Sequence, residues 1–186
     1  MGHTSSSKRS RGMHAHSVLL FSPNQQHVVG LIEQERWTRD LKAYGQNQHH
    51  ASRPYKEKES YTWERASRAM ENRLGTEIQK VISVCDREAD IIEYLTYKIS
   101  NHQRFVVRSM QSRCIKESED KLYQYSESLK LADIRTVQVR QKGGRKAREA
   151  LCEVRYAPVT VKIPANKTGR AKKMQNVFGN ITRSVG

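Results

Sequence analysis

Apolar positions in this chain fall into short runs, some alternating and some continuous, divided by polar turns. Ser17–Phe21 and His27–Ile32 are β-rich, and Ser22-Pro23-Asn24 between them carries turn chemistry, so the pattern predicts a hairpin. Residues 39–58 are polar, rich in His, Gln and Lys, and read as a loop. Over Tyr61–Leu74, Trp63, Ala66, Met70 and Leu74 recur at helical spacing and Gly75 supplies the stop, which predicts a helix whose Trp/Met stripe packs into a core. Lys80–Cys85 is a short apolar run expected to form an internal strand buried on both faces. Asp90–Ser100 follows as a helix with Ile91, Ile92, Leu95 and Ile99 on one side, and Asp90 with Glu93 imitates a capping box. Phe105–Ser109 reads as another strand. The strand–helix–strand order implies a parallel pair joined by a right-handed crossover.

The pattern changes after this unit. Ile134–Gln141, Ala150–Tyr156 and Val159–Ile163 alternate, and Lys142-Gly143-Gly144-Arg145 marks a turn, so a basic antiparallel meander is expected. Residues 165–186 show little periodicity and are expected to be disordered, as is the polar arm of residues 1–11.

Charge sharpens this division. The net charge is +15, from 34 Lys+Arg and 19 Asp+Glu. Residues 135–186 hold 13 basic and 2 acidic side chains, whereas residues 21–134 hold 18 and 17. The middle is therefore an ordinary globular surface, while the C-terminal part is suited to a polyanion. No apolar run approaches the ~18–20 residues that span a bilayer, and the basic N-terminus is followed by no apolar signal segment. A cytoplasmic chain without membrane contact is expected. Cys85, Cys114 and Cys152 form neither a CxxC pair nor a zinc spacing, which argues for free thiols.

The candidate chemistry centres on Asp86. A buried strand that delivers a carboxylate at its C-terminal tip is how many α/β nucleases hold a metal ion; the structural alternative is a turn or cap residue. Asp86, Glu88 and Asp90 have the spacing of a calcium loop, but Ile91 stands where the loop needs Gly and Tyr97 where it needs Glu. Lys142, Arg145, Lys146 and Arg148 crowd a hairpin tip between basic strands, which favours phosphate contact over simple solvation. His14, His16, His49 and His50 have no evident ligand partners and read as ordinary surface or core histidines.

Ser10–Leu20, Val29–Trp37, Lys58–Ser60 with Trp63, Val81–Leu95 and Arg104–Ser109 together resemble the catalytic domain of bacterial cut-and-paste DDE transposases of the insertion-sequence-four group. Leu122–Tyr125 and Gln141–Gly143 fit more weakly. The most specific stretch is Cys85-Asp86-Arg87-Glu88-Ala89-Asp90 with its spacing to Arg108. The resemblance implies an α/β fold: a partial RNase H-like mixed sheet with helices over residues 12–110, then the start of a basic antiparallel β insertion over residues 111–164. It makes Asp86 the second of three carboxylates that bind two Mg²⁺ or Mn²⁺ ions, and it aims Arg87 and Arg108 at DNA phosphates. For these two arginines a salt bridge to Glu88 or Asp90 is an equal alternative.

The resemblance also implies DNA as partner and a homo-oligomeric parent. The family's first Asp and its late Tyr-x-x-Arg-x-x-x-Glu helix have no counterpart here, nor do its end-binding and dimerisation domains. Residues 165–186 match nothing in the family. The chain is therefore expected to be catalytically incomplete, to bind metal weakly and to be marginally stable. A non-catalytic basic DNA-binding module and a decayed gene product are the alternative readings.

Overall fold

The computed structural model describes residues 2–3, 11–39, 53–164 and 176–183. Among them the chain is mixed α/β, with small sheets and three α-helices. It divides into two compact units, Met1–Val107 and Arg108–Gly186.

In the first unit, β1 (Gly2–His3) pairs antiparallel with β2 (Arg11–Gly12), so the arm expected to be disordered carries a short ladder at its described ends. β3 (His14–Ser22) and β4 (His27–Trp37) form the hairpin, longer than the apolar runs alone suggest. Its register shifts at Val18/Leu19 and Leu20/Phe21, irregularities that twist a ribbon locally. α1 (Thr62–Leu74) ends at Gly75, whose φ of 53° suits a residue without Cβ. Ala66 and Met70 of the expected stripe are buried, and Trp63 packs against a core of Ala89, Tyr94 and Tyr97.

β5 (Ile82–Cys85) and β6 (Arg104–Val107) are parallel, with Ile82 opposite Arg104 and Cys85 opposite Val107. α2 (Ile92–Ser100) lies between them in sequence. Two expectations are corrected here. Ile82 and Val84 are 49% and 79% exposed, so β5 is covered on one face only; an apolar run reports tolerance of burial, not the presence of a second layer. The capping box also does not form. Ile91 occupies the N-cap without a side-chain hydrogen bond, and the preceding turn places Asp90 one residue too early while burying it.

In the second unit, β7 (Asp133–Val139) pairs antiparallel with β8 (Arg148–Lys162). The two alternating runs 150–156 and 159–163 are one continuous strand, not two. Pro158 does not break it, because β7 reaches only as far as Val154 and β9 (Asn176–Arg183) pairs with Arg155–Lys162. β9 lies inside the segment expected to be disordered. It is mostly polar, and what it gains is backbone pairing along the far half of β8. Cys114–Lys116 also pairs with this half, through Ile115 opposite Val161 and hydrogen bonds from Lys116 N to Thr160 O and Lys162 N to Cys114 O. A short helix that the pattern did not signal, α3 (Leu122–Ser128), buries Leu122 and Ser126. Ile115, Val159 and Val161 complete this unit's core.

Candidate metal-ligand and nucleic-acid-binding residues

Asp86 follows directly on β5 and is exposed. Its Oδ1 accepts a hydrogen bond of 2.9 Å from Glu88 N, capping the 3-10 turn Arg87–Ala89. The structure thus gives Asp86 the cap role, and one oxygen of its carboxylate is engaged in it. Of the neighbouring acids, Glu88 is exposed whereas Asp90 is 5% exposed. Among the described residues no three His, Cys, Asp or Glu side chains converge as a metal site. Asp86 alone does not fit a pair of divalent ions, which sit about 3.5–4 Å apart and need several carboxylates to clamp them.

Arg87 and Arg108 are both exposed. Arg108 follows Val107, the register partner of Cys85, which in turn precedes Asp86.

Two polar clusters near this strand end carry no sequence signal. In the first, the Thr62 hydroxyl donates to Glu35 Oε2 at 2.8 Å, and His16 Nδ1 lies 3.2 Å from Thr62 Oγ1. With the Thr62 proton committed to Glu35, the ring N–H donates to Thr62. Arg65 pairs with Glu35 at 2.5 Å, and the His16 ring sits edge-on to Trp63 at 4.6 Å. Burial holds the His16 pKa below the usual imidazole range against the opposing pull of Glu35; Asp86 is also within electrostatic reach. His14 stacks on its cross-strand partner Trp37 at 5.5 Å. His49 and His50 lie outside the described residues.

The second cluster surrounds Lys98, which is 1% exposed. Its Nζ donates to Ser83 Oγ at 2.9 Å and Gln103 Oε1 at 2.8 Å. Burial lowers its pKa to about 8, with Cys85 and Glu71 opposing. Gln103 Nε2 donates onward to Glu71 Oε2, which also accepts from Tyr97 OH at 2.8 Å. Tyr94 OH contacts Ser67 Oγ at 3.3 Å and Cys85 Sγ at 3.6 Å. Burial raises the Cys85 thiol, so this cysteine is a packed hydrophobe and not a reactive one. Heptad or alternating patterns cannot mark such a lysine, because its position on α2 looks solvated until β5 and Gln103 are placed around it.

Lys142, Arg145, Lys146 and Arg148 sit where the pattern placed them, at the end of the β7–β8 ribbon. With Arg140 they are exposed, and none forms an ion pair with a described residue. The apex is a two-residue turn. Arg145 N donates to Lys142 O at 3.2 Å, and Gly143 takes φ 58° at the first central position, the geometry of a type II′ hairpin turn. No described helix is long and apolar enough to cross a membrane. No family model matches this chain.

Proposed function

We propose that the chain is a piece of the catalytic domain of a cut-and-paste DDE transposase with an RNase H-like core, and that its partner is DNA. The observation that carries the reading is the Cys85–Asp90 signature at the tip of β5, together with the register that brings the end of β6, and the start of the Arg108 segment, alongside it. The uncovered apolar faces, Ile82, Val84 and Val106 on one sheet and Leu19, Phe21 and Leu31 on the other, support it further, being what a core with additional layers would bury.

In the parent reaction, metal ions activate water or a DNA 3′-hydroxyl and stabilise the leaving oxygen. This chain's own residues supply one of the three carboxylates, Asp86. The exposed arginines Arg87 and Arg108 and the cations of the β7–β8 tip supply phosphate contacts. On that basis this chain grips DNA in the cytoplasm and does not cut it. The non-catalytic DNA-binding reading follows from the resemblance itself, which assigns this chain one of the three carboxylates.

The test is a graft. Residues 81–108 placed in an intact transposase of the group retain metal-dependent cleavage, and Asp86→Ala within the graft abolishes it while DNA binding persists. A graft that folds and binds DNA but never cleaves sinks the assignment of Asp86.

A further inference from the structure

We infer that the outer edge of β3 pairs antiparallel with the same edge of a second copy of this chain, joining two hairpins about a two-fold axis into one four-stranded sheet in the order β4–β3–β3–β4. The inference stands apart from the DNA reading and does not depend on it.

Three observations carry it. First, the edge is open and unguarded. Among the described residues β3 pairs with β4 alone, from His14 to Ser22. An edge strand presents a row of unpaired N–H and C=O groups. Folded chains ordinarily blunt that row with charged side chains, proline, a bulge or a very short strand. β3 has none of these. It is nine residues long, and no Asp, Glu, Lys or Arg occurs between Gly12 and Ile32. Its exposure alternates without a break along the whole strand, the mark of a regular, flat edge.

Second, the guards lie on the other strands. Both register shifts of the hairpin leave the extra residue on β4. Ile32 falls between the partners of Val18 and Leu19, and Val29 between those of Leu20 and Phe21. A bulge bends the strand that carries the extra residue, so β4 is the irregular strand. β4 also bears Glu33, Glu35 and Arg36, and the two glutamates pair with Arg73 and Arg65 of α1. β5 and β6 have four residues each, and β7 and β9 carry charged residues. Among the described residues β3 is thus the one long edge left bare. A copy with a single such edge closes as a two-fold dimer and does not grow into a fibre.

Third, the chemistry of the edge selects its occupant. A charged partner would find no counter-ion on β3, whereas a second β3 meets it without burying an unpaired charge. Two-fold antiparallel pairing keeps Ala15, Ser17, Leu19 and Phe21 of both copies on one face of the joint sheet. There Leu19 and Phe21, 58% and 54% exposed, gain neighbours across the new ladder. Full overlap of the nine residues supplies about one hydrogen bond per residue pair. The contact is small. A strand about 30 Å long in a sheet about 10 Å thick covers about 300 Å² per copy, against about 800 Å² in a stable complex. The dimer is therefore weak and reversible.

The experiment is sedimentation velocity of the full chain without DNA, with a thiol reductant to keep exposed Cys114 from cross-linking. Concentrations run from about 1 μM to about 1 mM, the range in which weak pairs form. A reversible shift from the 21.5 kDa monomer to twice that mass is expected, with amide hydrogen exchange slowing selectively over His14–Ser22. Ser17→Lys with Leu19→Lys gathers four lysines beside the two-fold axis and is expected to leave only monomer. Val28→Lys with Leu31→Lys adds the same charge to the same face from β4, opposite Phe21 and Leu19, and is expected to keep the dimer. All four positions are exposed, and circular dichroism checks that both variants retain the fold. A wild-type monomer at every concentration, a dimer that survives Ser17→Lys with Leu19→Lys, or assembly beyond the dimer each overturns the inference. Equal loss in the two double variants shows packing of the apolar faces instead, and overturns the edge pairing.

Discussion

A buried lysine makes the stability of the first unit depend on pH in a direction opposite to that of most proteins above neutrality. Lys98 is 1% exposed, and its pKa falls from 10.5 to about 8 in the folded chain. The folded state therefore binds this proton less readily than the unfolded state. Above pH ~10.5 both states are neutral at this site and nothing is lost; below pH ~8 the unfolded state is favoured by the full difference, about 3 kcal/mol at 1.36 kcal/mol per unit. Stability consequently rises with pH across this window, by about 2 kcal/mol between pH ~7.5 and ~9.5. Beyond pH ~10 the trend reverses, because Tyr97 is pushed up to about 12, and Tyr55 and Tyr94 further, by burial. The unfolded tyrosines ionise first, and the gain is offset. The assay is urea unfolding followed by tryptophan fluorescence. Trp37 and Trp63 are the only tryptophans and both lie in the first unit. Lys98→Met keeps the side-chain length and removes the charge, and its midpoint is expected to lose the rise over the same window and to fall slightly as the unfolded Cys85 thiol, raised by burial in the fold, ionises first. Total stabilities are normally only about 5–15 kcal/mol, so the lysine withholds a substantial share at neutral pH. A wild-type midpoint independent of pH, or a Lys98→Met midpoint that climbs equally, refutes the reasoning.

Other substitutions probe separate parts of the structure. Asp86→Ala removes the hydrogen bond to Glu88 N and is expected to lower the stability of the first unit by about 1 kcal/mol, measured by the same urea titration; Asp86→Asn should retain most of it. Gly75→Ala forces a Cβ onto a backbone with φ 53° and is expected to cost about 1–2 kcal/mol, read as a lower thermal midpoint. Ile92→Ala empties a 1%-exposed site on α2 and is expected to cost about 2–5 kcal/mol, enough to abolish the cooperative fluorescence transition. In thiol labelling near pH ~8, exposed Cys114 should react promptly and Cys85 slowly, because burial raises the Cys85 pKa; urea should remove the difference.

The hairpin β3–β4, helix α1 with its Gly75 stop, and the β5–α2–β6 parallel unit were legible because each is written in local periodicity and turn chemistry. What stayed illegible depends on neighbours. Val84 reads as interior, but whether a second layer covers it is a property of the fold and not of the strand. The gap at Pro158 between the two alternating runs suggests two strands, yet β8 continues through it, because β7 has ended at Val154 and β9 pairs along Arg155–Lys162. β9 has no regular apolar alternation in sequence, and its place is given by backbone pairing with β8. At the candidate site, the position of Asp86 directly after β5 and of the cations at the β7–β8 tip was legible, while the relay from His16 through Thr62 to Glu35 was not. It joins residues far apart in sequence, on β3, α1 and β4. Lys98 was missed for the same reason.

The most direct test of the account is nicking of supercoiled DNA by the purified chain in Mg²⁺ or Mn²⁺, beside Asp86→Ala, with binding followed across salt. Salt-sensitive binding is expected, shared by wild type and Asp86→Ala, with no metal-dependent nicking by either. Nicking that disappears in Asp86→Ala would show that a complete metal site assembles in this chain, contradicting the claim that it holds DNA without cutting it.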